Sequence, residues 1–225
     1  MTHGSRQRDS WIDNADAWTS AVRAQQIASR RDGTDAAVLT ACTPCDGLRV
    51  LDVGCGEGWL ARRLADQGAT VLGIDASAPL IDAARAAMSR TARFDVVSYE
   101  GLVDDNRAAS GPFDLIVCNF ALLDADLVPL FRALSARLAG GARLVIQTVH
   151  PFVAAGDDGY VDGWREERFA AFGDGFRTSM PWYFHTMESW FLALRDGGLR
   201  IDTMREPRAA DGRLLSLLLE CQCAN

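Results

Sequence analysis

The most informative stretch of this 225-residue chain is Leu51-Asp-Val-Gly-Cys-Gly-Glu-Gly58. It continues a short apolar run that starts at Leu48 and is typical of a buried strand. After it, apolar residues recur at helical spacing from Leu60 to Ala65. Glycines between a strand and a helix let the backbone turn tightly and let a ligand approach it closely. The stretch therefore predicts a ligand-binding loop at the carboxyl end of a strand.

The same alternation of strand and helix continues along the chain. Further runs typical of strands lie at residues 70–74, 94–98, 113–118 and 144–149. Helix patterns between them predict βαβ units, whose right-handed crossovers place helices on both faces of a parallel sheet. Two final strand-like runs, 199–204 and 214–223, flank a turn at Asp211-Gly212 that predicts an antiparallel hairpin. We therefore expect a doubly wound α/β fold with a seven-stranded, mostly parallel sheet that ends in this hairpin.

Two regions lie outside this alternation. Within residues 1–47 a helical face runs from Trp11 to about Gln26, and we expect N-terminal helices that cover the ligand site of a main domain at 48–225. Residues 151–185 show no clear period and are rich in aromatic residues. Because aromatic content argues against disorder, we expect this segment to form a lid or cap inserted in the main domain.

Composition and charge exclude several classes of function. Hydrophobic residues make up 48% of the chain and charged residues 24%, which is typical of a globular domain. The formal net charge of −7 disfavours nucleic acid and anionic membranes as partners. All 23 basic residues are Arg, so chemistry that needs a lysine is excluded. The chain shows no signal peptide and no apolar run of membrane-spanning length, so we expect a cytoplasmic protein whose oligomeric state stays open.

The six cysteines predict reduced, partly buried thiols rather than a disulfide framework, since a chain of this size needs no covalent staple. Cys42 and Cys45, together with Cys221 and Cys223, leave a zinc site as the alternative. We expect no metal in this protein. Acidic residues near the fourth strand, at positions 124 and 126, are expected to cap a helix instead of binding one.

The acids around the glycine loop indicate which kind of ligand it binds. Asp75 ends the second predicted strand, where a carboxylate can accept both ribose hydroxyls of a nucleoside. The loop glycines are spaced G-x-G-x-G, whereas a dinucleotide site has G-x-G-x-x-G, and Trp59 stands at the third dinucleotide position. Asp52 and Glu57 add negative charge that no nearby basic residue is expected to offset. That charge suits a sulfonium and an ammonium group better than a pyrophosphate.

These stretches resemble the motifs of class I S-adenosylmethionine-dependent methyltransferases, a family with a Rossmann-like fold. Leu51–Gly58 resembles their motif I, Asp75 their second-strand acid, Phe113–Asn119 their fourth-strand motif and Gly140–Val145 the start of their fifth strand. The terminal hairpin also matches. The resemblance is greatest to the group of ubiquinone and menaquinone biosynthesis, whose members methylate small molecules. It implies S-adenosylmethionine as cofactor, S-adenosylhomocysteine as product, and a small-molecule acceptor that the sequence does not identify.

The resemblance also implies which residues bind the cofactor. The glycine loop would pass under the methionine part, Asp52 would orient the loop and the amino group, and Asp75 would hold the ribose. Family members usually carry an acid after the third strand to meet the adenine amino group; Ser98-Tyr99-Glu100 stands there in this chain. The implied cofactor-binding residues are Trp18, Asp52, Gly54, Cys55, Gly56, Asp75, Ala76, Tyr99, Glu100, Asn119 and Phe120.

Catalysis of methyl transfer requires little of the protein. The reaction is an in-line displacement in which the cofactor carries the activation, so the protein supplies positioning and desolvation. A general base is needed only for a weakly acidic hydroxyl or a protonated amine. His150, directly after the fifth strand, and His185, before the next helix, are the candidate catalytic residues, each with a structural role as its alternative. His3 lies in a polar, flexible end and is expected to have no role.

Three other functions stay open. A protein that binds S-adenosylmethionine without catalysis would carry the same loop, because methyl transfer needs no invariant catalytic residue. An NAD(P)-dependent oxidoreductase is disfavoured by the glycine spacing and by the terminal hairpin. A methyltransferase that acts on nucleic acid or protein is the third. Methylation of DNA bases is disfavoured by the acidic charge and by Asn119-Phe-Ala-Leu122 in place of an Asn-Pro-Pro-Tyr tetrad.

Overall fold

The structure, a computed structural model, describes residues 2–87, 89–104 and 109–224. Its strands are β1 (Arg49–Val53), β2 (Thr70–Asp75), β3 (Ala92–Val96), β4 (Phe113–Asn119), β5 (Leu138–Thr148), β6 (Gly163–Glu167), β7 (Met180–Phe184), β8 (Leu199–Arg205) and β9 (Leu217–Cys223). Its α-helices are α1 (His3–Asp13), α2 (Ala15–Arg23), α3 (Asp35–Cys42), α4 (Trp59–Asp66), α5 (Ala78–Ala86), α6 (Tyr99–Asp104), α7 (Val128–Ser135), α8 (Pro151–Ala154) and α9 (Met187–Asp196). A helical segment kinked at Gly33 (φ +156°) lies at Arg30–Thr34, and a single turn of 3-10 helix lies at Gly156–Asp158.

Seven strands form one sheet in the order β3-β2-β1-β4-β5-β9-β8. All neighbours are parallel except β9, which runs antiparallel to both β5 and β8. The predicted doubly wound sheet with a terminal antiparallel hairpin is therefore confirmed. The chain moves outward from β1 in one direction through β2 and β3 and returns to the other side at β4. Such a switch point opens a crevice at the carboxyl ends of β1 and β4, where open α/β sheets bind ligands.

The central strands are buried on both faces, as their near-continuous apolar runs require. Because successive residues of a strand point to opposite faces, β1 contributes to two cores. Val50 packs with the buried side of α3, α4 and α5, whereas Leu51 packs with α7 and α9. β5 begins earlier than the predicted residue 144, because Leu138 already pairs with Phe113 ahead of an irregularity in the ladder.

The predicted single helix from Trp11 to Gln26 is wrong, because the chain forms two helices that meet at Asn14. The buried side chain of Asn14 accepts a hydrogen bond from the Arg177 amide at 2.8 Å and donates one to the Thr178 carbonyl at 2.6 Å. Asn14 therefore connects the junction of α1 and α2 to residues 177 and 178. The prediction of a flexible amino end is wrong as well: His3 begins α1, and its ring stacks on Trp164 with ring centroids 3.9 Å apart.

Residues 151–185 hold more regular structure than their sequence pattern indicates. β6 and β7 form a separate two-stranded antiparallel sheet, in which Gly163 pairs with Phe184. The guanidinium of Arg165 lies 3.8 Å from the ring centre of Phe184 and donates to the last carbonyl of α8, at Ala154, and to two carbonyls in the turn after it. In the described part of the chain, no helix has both the length and the apolarity needed to cross a membrane.

Candidate functional site

A cavity of about 340 Å³ lies at the carboxyl ends of β1, β2 and β4. All of the residues that the sequence assigned to the cofactor line it, and so does His185. The other predicted catalytic residue, His150, does not. The volume falls in the range of small-molecule sites, which are concave and mostly apolar with a few placed polar groups.

The glycine loop forms the floor of this cavity. The amides of Gly54 and Cys55 both donate to the Ile74 carbonyl, at 2.8 and 2.9 Å, so the loop folds over the end of β2. Gly54 and Gly56 have φ values of +71° and +55°, a region that favours glycine. A side chain at Gly54 would overlap Ala121, and one at Gly56 would reach to 3.4 Å from the indole nitrogen of Trp18. The backbone therefore lies open to a ligand at Gly56.

Asp75 has its carboxylate held by the backbone. One oxygen accepts from the Gly56 amide at 2.9 Å and the other from the Ser77 amide at 2.8 Å. Burial raises the pKa of Asp75, and these amide contacts oppose that rise. Each carboxylate oxygen has a second lone pair. The side chain is therefore oriented by the protein and can still accept hydrogen bonds from a ligand.

Asp52, at the end of β1, is the most unusual charge in the cavity. Its side chain is 1% exposed, and among the described residues its Oδ2 has no hydrogen-bond partner. Burial, and next the charge of Asp75, raise the pKa of Asp52 to about 7, while the Ala61 amide acts in the opposite direction. A buried carboxylate is costly without a partner. The donor that Oδ2 lacks is a group that a cationic ligand would supply.

Glu57 corrects one of the sequence predictions. The loop was expected to carry uncompensated charge, but Oε2 of Glu57 lies 3.0 Å from Arg23 Nε and 2.8 Å from Arg62 Nη2. The two guanidiniums come from α2 and α4. The negative charge that remains available to a ligand therefore belongs to Asp52 and Asp75, not to Glu57.

The segment after β4 forms a second wall. Phe120 has a φ of +52°, uncommon for a residue other than glycine, and its amide donates to the Gln147 carbonyl at 2.7 Å. Asn119 accepts from the side-chain amide of Gln147 at 2.8 Å. The hydroxyl of Tyr99, at the start of α6, donates to the Ala121 carbonyl. Residues in sparsely populated backbone regions persist only where the surroundings hold them, and here Gln147 does so.

Aromatic residues close the cavity on the side of the N-terminal helices. The ring of Trp18 lies 5.1 Å from that of Trp11 and 5.9 Å from that of Phe172, centre to centre. Phe169 stacks on Phe176 at 4.7 Å in the same cluster. Trp18 therefore lines the cavity and also packs α2 against residues 169–176.

The chain has recognisable relatives. A family model described as "Methyltransferase domain" matches residues 50–141. A ubiquinone biosynthesis O-methyltransferase from Xylella fastidiosa (strain 9a5c) is 37% identical over 116 residues, which cover 50% of this chain and 46% of that protein. Residues 50–141 are thus similar to the methyltransferase domain, and they include the glycine loop and the strand-end residues of the cavity. It spans less than half the length of the curated relative it matches.

Solved structures of methyltransferases share the fold across most of the chain. The S-adenosylmethionine-dependent methyltransferase of Mesorhizobium loti is 26% identical, with a TM-score of 0.64 over 82% of this chain and 95% of that one. Magnesium protoporphyrin IX methyltransferase from Synechocystis PCC 6803, solved with bound SAH, is 19% identical, with a TM-score of 0.63 over 97% and 98%. The latter similarity shows the fold alone.

The two histidines differ in what they contact. Nδ1 of His150 accepts from the Phe152 amide at 3.2 Å, so the neutral ring carries its proton on Nε2, 2.9 Å from a carboxylate oxygen of Glu206. Both nitrogens of this ring, which is 5% exposed, are thus occupied at the start of α8, and His150 is not among the residues that line the cavity. These contacts favour the structural role that the sequence analysis gave as the alternative for His150.

His185 lines the cavity and is held by one nitrogen. Its Nε2 lies 2.9 Å from the Asp124 carbonyl, an obligate acceptor, so the neutral ring keeps its lone pair on Nδ1. Nδ1 lies 3.5 Å from Ser189 Oγ, whose proton has a closer acceptor in Asp162 at 2.9 Å. Burial lowers the pKa of His185, so the ring is neutral at pH 7.

Several cavity residues were not predicted. Gln7 and Arg8 from α1, Arg30 from the segment before α3 and Asp35 at the start of α3 also line it. They belong to no motif, and they lie outside the helical face that the sequence shows from Trp11 to about Gln26. Of the two acids expected to cap a helix, Asp126 accepts from the Val128 amide at 3.1 Å, whereas Asp124 lines the cavity.

Two further findings concern metal ligands and the cysteine of the glycine loop. Among them, no group of three or more His, Cys, Asp or Glu side chains is placed to hold a metal ion. Cys55 lies in the glycine loop, and burial raises the pKa of its thiol well above the usual value. The Cys55 side chain is therefore a neutral thiol that adds bulk rather than charge to the cavity.

Proposed function

We propose that this protein transfers the methyl group of S-adenosylmethionine to a small-molecule acceptor and releases S-adenosylhomocysteine. The observation that carries the proposal is the buried carboxylate of Asp52, whose Oδ2 lacks a partner among the described residues and which faces the cavity. S-adenosylmethionine bears an ammonium and a sulfonium group, and either would offset that charge. The match of residues 50–141 to the methyltransferase-domain model and the second acid, Asp75, support the same ligand.

The cavity residues divide naturally between parts of the cofactor in this proposal. Gly56 and its neighbours would lie under the methionine portion near Asp52, with Asn119 and Phe120 beside it. Asp75 and Ala76 would meet the ribose and the adenine edge. Glu100 is exposed at the rim, and a hydrogen bond from Ser98 lowers its pKa, so it stays ionised and can accept from the adenine amino group. Tyr99 would form the wall beside the base.

The chemical step would depend on the orientation of the two reactants and the exclusion of water more than on the strength of an acid or a base. When bound, S-adenosylmethionine supplies a methyl group activated by its positive sulfur. A lone pair of the acceptor forms the new bond to the methyl carbon as the carbon–sulfur bond breaks, and the electron pair stays on sulfur. Trp18 and Phe169 would exclude water from this line. We propose that residues 1–47 and the segment 151–185 act as covers of the site.

The acceptor half of the cavity would lie toward β7 and α9. Trp182 and Phe184, with Trp190 of α9, line it together with Gln7, so an apolar or aromatic acceptor with a small polar group fits best. For a hydroxyl acceptor, we propose His185 as the residue that receives the proton, at Nδ1. The curated relative named for ubiquinone biosynthesis supports an oxygen acceptor.

Binding and turnover test the proposal in sequence. Thermal shift and calorimetry with S-adenosylmethionine, S-adenosylhomocysteine, NAD and NADP come first, since a ligand at 100 times its Kd adds about 2.7 kcal/mol of stability. We expect only the two sulfur compounds to bind. Turnover to S-adenosylhomocysteine is then measured with a panel of phenols and amines. Binding of the nicotinamides alone would overturn the proposal, and cofactor binding without turnover on any acceptor would favour a non-catalytic binder.

A further inference from the structure

Three charged side chains meet beneath the glycine loop, outside the set that the cofactor would touch. The carboxylate of Glu57 is 1% exposed and receives Arg23 from one side and Arg62 from the other. Both guanidiniums contact the same oxygen, Oε2. We call these three residues the Glu57 clamp. None of them lines the cavity, so the clamp acts on the site only through what it holds in place.

The two arginines of the clamp connect Glu57 to different parts of the fold. Arg62 lies in the first turns of α4 and also donates to the main-chain carbonyl of Glu57 at 2.6 Å, so it belongs to the loop and its own helix. Arg23 ends α2 and is far from Glu57 in the chain. Its other nitrogen, Nη2, donates to the Ala83 carbonyl of α5 at 2.9 Å. Arg23 therefore ties α2 to the loop and to α5 at once.

What α2 brings to the cavity is Trp18. Its indole nitrogen lies 3.4 Å from the point where a Cβ on Gly56 would stand, so the ring faces the open backbone of the loop. The other end of α2 is held through Asn14, which bonds to residues 177 and 178. A helix fixed at Asn14 and at Arg23 keeps Trp18 over the loop. Loss of the Arg23 contacts would loosen this end of α2, which the buried Ala21 and Val22 also hold by packing.

We propose that Arg23 is a positioning residue that holds α2, and with it Trp18, closed over bound cofactor, and so slows cofactor dissociation. The inference rests on the proposed function. Arg23 touches neither cofactor nor acceptor in it. Arg62 still neutralises the buried Glu57 carboxylate when Arg23 is replaced, so the fold survives the change. The side chain of Arg23 is 44% exposed, which makes its loss from the fold cheaper still.

The test uses Arg23→Met, which keeps the length of the side chain and removes its donors, and Arg23→Lys, which keeps the charge. Lys carries no planar fork and cannot serve Glu57 and Ala83 as Arg does. The control is Arg195→Met, which breaks an exposed ion pair with Asp196 on α9. Calorimetry measures Kd for S-adenosylhomocysteine, stopped-flow tryptophan fluorescence measures its dissociation rate, and steady-state rates separate KM from kcat.

We expect Arg23→Met to raise Kd and the dissociation rate about tenfold, the scale of a lost hydrogen bond to a charged group, with KM rising and kcat changing less than about twofold. Arg23→Lys should fall between the wild type and Arg23→Met, and the control should match the wild type. A folded Arg23→Met protein with wild-type dissociation rate overturns the inference. If Arg23→Met does not fold, a wild-type dissociation rate in Arg23→Lys overturns it equally.

The proposed function fails in a different way. If the wild-type protein binds neither S-adenosylmethionine nor S-adenosylhomocysteine, the function is wrong and the clamp has no ligand to retain. If the wild type binds both compounds and the Arg23 variants release them at the wild-type rate, the proposed function stands and the inference alone is wrong. An equal loss of kcat and kcat/KM in Arg23→Met would also contradict it, because that pattern marks an interaction made only in the transition state.

Discussion

Replacement of Asp52 by Asn should stabilise the ligand-free protein and weaken its binding of cofactor. The carboxylate is buried, and its Oδ2 lacks a partner among the described residues, so the folded state bears a cost whenever the group is ionised. Asn keeps an oxygen that can accept from the Ala61 amide and removes the charge. The same change removes the group that would offset the positive charge of S-adenosylmethionine. Stability and binding should therefore move in opposite directions.

The size of the stability gain follows from the pKa of Asp52, raised from 3.8 to about 7 in the folded protein. An acid whose folded pKa is raised destabilises the folded state as pH rises from the unfolded value to the folded one, and the cost is constant above that. At 1.36 kcal/mol per unit, the cost reaches about 4 kcal/mol at pH 8 and about 2 kcal/mol at pH 5. The melting temperature at pH 8 should rise by about 10 °C.

Urea unfolding of the wild type and Asp52→Asn at pH 5, 6, 7 and 8 measures this gain directly. Asp66→Asn, an exposed acid at the end of α4, is the matched control and should stay within about 0.5 kcal/mol of the wild type. Calorimetry at pH 8 should show S-adenosylmethionine bound about tenfold or more weakly by Asp52→Asn. In the wild type, affinity should rise with pH through about 7 as Asp52 ionises.

Two results would refute the reasoning about Asp52. If Asp52→Asn is no more stable than the wild type at pH 8, the buried carboxylate carries no cost and has a partner. If its gain is the same at pH 5 and pH 8, the gain comes from packing and not from ionisation. If Asp52→Asn is stabilised but binds S-adenosylmethionine with unchanged affinity, the stability argument holds and Asp52 is not part of the cofactor site.

Four other substitutions have distinct expected outcomes. Gly56→Ala should cost about 1 kcal/mol of stability, because its φ is +55°, and calorimetry should detect no cofactor binding since the new methyl occupies the gap beside Trp18; retained affinity would show that the ligand lies elsewhere. Asp75→Asn should lose one of the two amide contacts and bind cofactor about 10-fold to 100-fold more weakly in the same assay, and an unchanged Kd would remove Asp75 from the site. His150→Ala should lower unfolding free energy by about 1 kcal/mol through loss of the α8 cap, while the pH profile of methyl transfer stays that of the wild type. His185→Asn should flatten that profile instead, and a shifted profile in the His150 variant alone would reverse the two assignments.

Much of the fold could be predicted from short-range patterns. The run from Leu48 to Gly58 indicates strand, turn and helix within a dozen residues, and the acid at Asp75 follows the next strand. Right-handed crossovers between parallel strands then place helices on both faces of the sheet. For the same reason the residues assigned to the cofactor from the loop and the strand ends all line one cavity. The carboxyl ends of neighbouring parallel strands necessarily meet at one edge of the sheet.

Other features depend on contacts between distant parts of the chain. The helix break at Asn14 follows from its bonds to residues 177 and 178, which no local pattern contains. The strands β6 and β7 escape prediction because one is highly charged and the other contains Pro181, so neither shows a clean alternation. His150 and His185 both follow strand-like runs, yet only one faces the cavity.

Local patterning thus specifies which elements form and where a ligand site must open, since backbone preference and hydrophobic periodicity act over a few residues. The charge state and the partners of the site are properties of the packed molecule. Glu57 is adjacent to Gly56 in sequence, but its charge is offset by Arg23, which reaches it only once α2 lies across the loop. Asp52 becomes a costly anion only when the sheet and helices exclude water from it. Electrostatic energies depend on distance and burial, and both exist only after the chain has folded.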